Sequence, residues 1–259
     1  MMRNSGIPDG LHFNSASLIY GCVWHMDLII YVPRIEASMP TLRNMLMMAV
    51  KRYKALSLPL PREFCRLAVL NPREAIELLM RFGNSFVRLW GWVPGFLRDV
   101  MVFEPSASIE CYDSMDRLRR SIDFGVDIAG LIIRYRLSGR VDYDDWLRLF
   151  SREVATASLT LPDQPVIVVD DYVQFVEHVA RSSGVVLLGP LVPTPIDLMV
   201  LISSGKLSVD YLAKVVDYVI NYIGDYVVMG RDLTDAFIRL ISDREYVNFV
   251  RSTGLLIIT

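Results

Sequence analysis

Two rhythms of apolar positions run along this chain, short unbroken runs and recurrences every three or four residues. They meet most clearly between Gln164 and Gly184. Val166, Ile167, Val168 and Val169 are all β-branched and follow Pro165, the pattern of a strand buried on both faces. Asp170 and Asp171 come next, and then Tyr172, Phe175, Val176, Val179 and Ala180 recur at helical spacing until Ser182, Ser183 and Gly184. A buried strand leading into a helix sets two carboxylates at the carboxyl edge of an α/β sheet. Helix capping alone accounts for the same two residues equally well.

Elsewhere the pattern predicts more of the same. Asp27 to Val32 reads as a strand stopped by Pro33, and Leu11 to Phe13 as a strand running into small polar residues. Glu36 opens a helical stretch that breaks at Pro40 and resumes through Leu42, Met45, Leu46, Val50 and Tyr53. Pro59 and Pro61 break the pattern between Ser57 and Pro61. Asn71-Pro72-Arg73-Glu74 is a helix start, with Asn as cap and Pro in the first turn. Val100 to Phe103 reads as a strand, Phe103 to Asp116 has no clear assignment, and Asp123 to Leu137 reads as a buried helix. Asp144 or Asp145 starts a helix over Trp146 to Leu159. Val185 to Leu188 is a further strand, Thr194 and Ser208 cap helices, and Asp232 or Thr234 starts another before a final strand at Leu255 to Ile258. Strands alternating with helices predict an α/β fold with a parallel sheet. The expected organisation is a core of residues 1–40 and 141–259, the latter with a helical C-terminal extension, and a mostly helical insertion over 41–140.

Several of these stretches, in this order, resemble the PIN-domain ribonucleases. Leu11-His12-Phe13-Asn14-Ser15-Ala16-Ser17-Leu18-Ile19 is similar to the family's first strand and its Asp-Thr-Ser ending, with Asn14 in the place of the first metal-binding acid. Tyr31-Val32-Pro33-Arg34-Ile35-Glu36 resembles the Val-Pro pair that precedes a helix carrying Glu, one residue early. Asp144 or Asp145 matches the acid at the head of the helix before the central strand. Val169-Asp170-Asp171-Tyr172 resembles the last acidic motif. The likeness covers Leu11 to Ser38 and Asp142 to Gly189. It implies a PIN-like sheet in which Glu36, Asp145 and Asp171 act on an RNA phosphodiester, holding magnesium or manganese together with Asn14 and Asp170. Hard carboxylates suit such ions, which activate water for hydrolysis. Asn14 offers a carbonyl oxygen but no charge, so the resemblance implies either an attenuated ribonuclease or an inactive relative that binds RNA or a protein partner.

Composition narrows the setting. With 53% hydrophobic and 22% charged residues, the 259-residue chain has ample core and is not a disordered protein. The longest apolar run, Ala16 to Val32, contains His25 and Asp27, so no membrane span is expected. The beginning of the chain lacks the pattern of a secretion signal. Cys22, Cys65 and Cys111 are few and far apart, which predicts free thiols in a reducing, cytoplasmic setting and no zinc cluster.

The net charge of −2 hides a split. Ten bases stand against four acids between Thr41 and Val100, and twelve acids against seven bases from Asp163 onward. Either the two halves pair with each other, or the basic half meets an anionic partner, and a homo-oligomer is a further expectation. For the latter, Arg43, Lys51, Arg52 and Lys54 are the candidate RNA contacts. Phe86, Trp90, Trp92 and Phe96 offer either stacking surfaces or core.

Overall fold

The computed structural model describes residues 28–156 and 161–258. Five parallel strands form one sheet in the order β3-β2-β4-β1-β5, with helices on both faces. The strands are β1 (Leu28–Tyr31), β2 (Ala55–Pro61), β3 (Ser108–Asp113), β4 (Val166–Val169) and β5 (Gly184–Leu187). In register, Leu28 to Tyr31 lie between Val166 to Val169 on one side and Gly184 to Leu187 on the other. The unbroken apolar runs thus occupy the centre of the sheet, where both faces are covered.

Alternate residues feed two cores. Ile30, Val32, Val166, Val168 and Val186 pack against α1 (Met39–Tyr53), α2 (Arg62–Leu70), α3 (Pro72–Met80), α4 (Asn84–Trp90) and α5 (Val93–Phe103). Ile29, Tyr31, Ile167 and Val169 face the other layer. That layer holds α6 (Met115–Ser138), α7 (Tyr143–Thr156), α8 (Tyr172–Val179), α9 (Pro195–Ser203), α10 (Leu212–Asn221), α11 (Leu233–Ser242) and α12 (Arg244–Ser252). No helix among the described residues is long and apolar enough to cross a membrane.

The segment 41–140 differs from a mostly helical insertion, because β2 and β3 belong to the main sheet and β2 pairs with β4. Prolines do not exclude β2. Its pairing with β4 is confined to Ser57 and Ile167, and its register with β3 shifts between Leu58 and Pro61, where Pro59 has no ladder bond to give. Val100 to Phe103 is not a strand but the last turn of α5. Val93, Phe96, Leu97 and Val100 are buried at helical spacing, and Pro94 sits in the first turn where its missing N–H costs nothing. Pro40 likewise starts α1 instead of breaking it, after a short 3-10 turn at Glu36–Ser38. The Leu255 to Ile258 segment contributes one antiparallel bridge, between Ile258 and Leu191.

The caps fall where the sequence put them. Asn71 accepts from Glu74 N, Thr194 forms a capping box with Asp197, and Ser208 and Asp232 cap their turns. The cysteines depart from expectation. Cys65 on α2 and Cys111 on β3 are joined in a disulfide, their Cα atoms 6.1 Å apart, within the span such a bond requires. Spacing along the chain could not reveal this, because the tertiary fold alone brings α2 against β3.

Candidate functional site

From β1 the chain turns toward the α1–α5 layer, whereas from β4 it turns to α8 on the opposite face. Adjacent parallel strands that diverge in this way leave a crevice at their carboxyl ends, the usual ligand position of open α/β sheets. Arg34, Asp170 and Asp171 stand at those ends.

The Asp170 carboxylate is only 7% exposed and is held by Arg34, with Nε 2.9 Å and Nη2 3.2 Å from its two oxygens. The Asp170 charge keeps the Arg34 guanidinium firmly protonated. Asp171 caps α8, accepting from Gln174 N at 2.9 Å. Glu36 Oε2 accepts from Thr234 N and Oγ1 at 3.1 and 3.0 Å, and Arg88 Nε lies 4.0 Å from the buried Oε1. Asp145 lies between Arg134 and Arg148, and Asp144 is an exposed first-turn residue whose N–H donates to Asp142. Asn14 lies outside the described residues.

The described positions do not assemble into a metal centre. Among the described residues, no three Asp, Glu, His or Cys side chains stand together as ligands. Glu36, Asp145, Asp170 and Asp171 each already answer a cation, a hydroxyl or a helix N-terminus. A divalent ion needs several free oxygens at once, and the described donors do not bring such a set together.

The loop after β1 is also packed on its β5 side. Gly189, at φ +144°, lies so close to the β1 loop that a Cβ would stand 2.9 Å from Pro33 Cγ. Ala37 N donates to Thr234 Oγ1 at 3.2 Å, which brings the start of α11 over the same loop. Tyr112 donates from below to the Val168 carbonyl at 2.7 Å. Beside the crevice, partly buried Asp197 is pushed up to about 6, first by desolvation and then by the Asp171 charge, against the lowering bonds from Thr194. Arg34, Asp197 and Thr234 are absent from the sequence-predicted set. Arg34 had a signal, since it follows β1 just as Asp170 follows the neighbouring β4.

The expected RNA contacts divide. Arg43 pairs with Asp99 at 3.2 Å, and Lys54 caps α1 and pairs with Glu104. Lys51 and Arg52 are exposed at the end of α1, with Arg52 5.3 Å over the Tyr53 ring. Trp90 and Phe96 are buried in the core, while half-buried Trp92 donates its indole N–H to the Leu89 carbonyl. They are core residues, not stacking platforms.

An open cavity lies elsewhere, along the outer side of β3, an edge strand of the sheet. A groove of about 830 Å³ runs between α2, α5 and this edge. Arg62, Cys65, Arg66, Val69 and Leu70 form its α2 wall at helical spacing, and the Cys65–Cys111 bond lies in its lining. Val69, Leu70 and Met101 are exposed, and Val102 and Phe103 extend the apolar surface beyond the end of α5. Arg62 is 3.6 Å from Glu110, whereas Arg66 has no ion pair among the described residues. Searches of protein-family models, curated proteins and solved structures return no match to this chain.

Proposed function

We propose that this protein is a non-catalytic α/β binding protein whose ligand is an extended peptide segment, taken into the groove beside β3. The groove carries the reading. It joins an open strand edge, an apolar wall and an uncommitted Arg66, which together suit an added strand with apolar side chains and one carboxylate. Its disulfide ties the α2 wall to the strand and keeps the groove in one shape.

A metal-dependent ribonuclease, implied by the PIN-domain resemblance, has less in its favour. Its four described acids are engaged by arginines, by Thr234 or by the first turn of α8. The binding reading agrees with Asn14, which stands where that resemblance calls for an acid. Lys51 and Arg52 are too few to favour RNA over a peptide in the groove.

Panning a random peptide library displayed on phage tests the reading. Expected is enrichment of sequences combining apolar residues with an acid, whose binding is lost in Met101→Asp and weakened in Arg66→Glu. Enrichment indifferent to both variants, or no enrichment beside photocrosslinking of oligouridine to the α1–α5 layer, would overturn it.

A further inference from the structure

α6 is the longest helix among the described residues, running 24 residues from Met115 to Ser138. It buries Leu118, Ile128 and Ile132. Flanking this buried face, about 100° round the helix, a second apolar stripe faces outward. Val126, Ile133 and Leu137 are 66%, 58% and 85% exposed, and half-buried Ile122 and exposed Ala129 lie on the same line. The spacing 122, 126, 129, 133, 137 is that of one helix face. From Ile122 to Leu137 the stripe is about 22 Å long at 1.5 Å per residue. A surface helix normally shows charge on its exposed side, so the stripe is a packing face without a partner among the described residues.

We infer that the occupant of this face is α6 of a second copy of the chain, packed antiparallel about a twofold axis near Ala129 and Gly130. The stripe reads nearly the same in both directions about that point. Val126 meets Ile133 of the other copy, and Ile122 meets Leu137. The small residues fall at the crossing, where two helix backbones approach most closely. A Cβ at Gly125 or Gly130 would meet nothing within 4 Å among the described residues, so the protomer's own packing does not call for glycine at either position. In a helix interior each glycine costs about 1 kcal/mol relative to alanine.

Charge sets the direction. Asp123 and Asp127 border the stripe in its amino-terminal half, and Arg134 borders the same margin in its carboxyl-terminal half, eleven residues beyond Asp123. Arg134 and Asp127 are partly engaged by Asp145 and Arg152, whereas Asp123 has no partner among the described residues. In an antiparallel pair, residues on the same margin of the two helices face each other. Asp123 of one copy therefore meets Arg134 of the other. A parallel pair sets this margin against the opposite margin of the partner helix and so loses the Asp123–Arg134 contact. A two-fold interface of this kind closes on itself as a dimer.

Sedimentation equilibrium of the whole protein, with directed cysteine crosslinking, tests the assignment. Wild type is expected to be a dimer, and Gly130→Leu a monomer with an unchanged circular dichroism spectrum, since the protomer has room for the side chain. Asp123→Arg should weaken association by roughly fivefold, the size of an exposed ion pair. Ala129→Cys should crosslink to itself under mild oxidation. Ile122→Cys should crosslink to Leu137→Cys in a mixture of the two proteins and form far less of either homodimer. A monomeric wild type, a dimer untouched by Gly130→Leu, or equal self-crosslinking at position 122 would each overturn it.

Discussion

Arg34 at the end of β1 grips Asp170 at the end of β4 through two nitrogens, at 2.9 and 3.2 Å. The two strands are neighbours in register, so this pair closes the sheet's carboxyl edge where a ligand crevice is expected. The acid is almost wholly buried while the arginine is about half exposed. Removing the arginine therefore leaves a desolvated carboxylate with nothing to answer it. Arg34→Met should cost about 3 kcal/mol in urea unfolding at neutral pH. Asp170→Asn in the same background should recover part of that loss. A cost below 1 kcal/mol would show that water reaches Asp170 freely.

What was legible in the sequence had its cause in short-range pattern. The four β-branched residues of β4, the acids after them and the helix that follows are a local statement, and so are the caps at Asn71, Thr194 and Ser208. β2 and β3 were hidden for different reasons. Pro59 and Pro61 look like breakers until it is known that β2 meets β4 at a single position, and the Ser108–Asp113 edge strand is only partly buried, so its apolar run is weak. The candidate acids were legible as positions but not as partners. Nothing near Glu36 announces Thr234, almost two hundred residues away, and nothing near Cys65 announces Cys111. The groove is the product of such long-range contacts.

Asp197 gives the fold a dependence on pH of known sign. Its folded value of about 6 lies above the usual 3.8, so the folded state binds this proton more tightly than the unfolded chain. The stability it contributes is fully present below pH 3.8 and is lost as the pH rises through about 6. The loss is on the order of 3 kcal/mol. Asn keeps an oxygen for the Thr194 bonds without the charge. Asp197→Asn should therefore gain stability relative to wild type between pH 4 and 7, as read by paired urea titrations. A constant difference across that range would place the proton elsewhere.

The Cys65–Cys111 bond closes a loop with a sequence separation of 46, and loop-closure entropy assigns it up to about 4 kcal/mol. Treatment of the folded protein with a strong reductant should add two hydrogens by mass spectrometry and lower the melting temperature. Cys111→Ser should show the same lowered melting temperature and no further effect of reductant. Because the bond lines the groove, both treatments should also weaken binding of any peptide selected for it. An unchanged melting temperature would mean that the folded chain holds its α2 wall without the bond.

Manganese bears on the carboxylates most directly. Glu36 is committed to Thr234, Asp145 to Arg134 and Arg148, Asp170 to Arg34, and Asp171 to the first turn of α8. A cation entering at any of these acids must break such bonds and, at Asp145 or Asp170, stand beside the arginine charge, so its net gain in free energy is small. Calorimetric titration with manganese should give no saturable heat, and excess metal should leave the melting temperature where chelator leaves it, since only a ligand that binds the folded state raises it. Asp171→Asn should behave as wild type toward the metal and lose only helix-cap stability, about 1 kcal/mol or less. Saturable binding that disappears in Asp171→Asn would instead mean that the arginines give way, and would return the acids to the ribonuclease role implied by their order in the sequence.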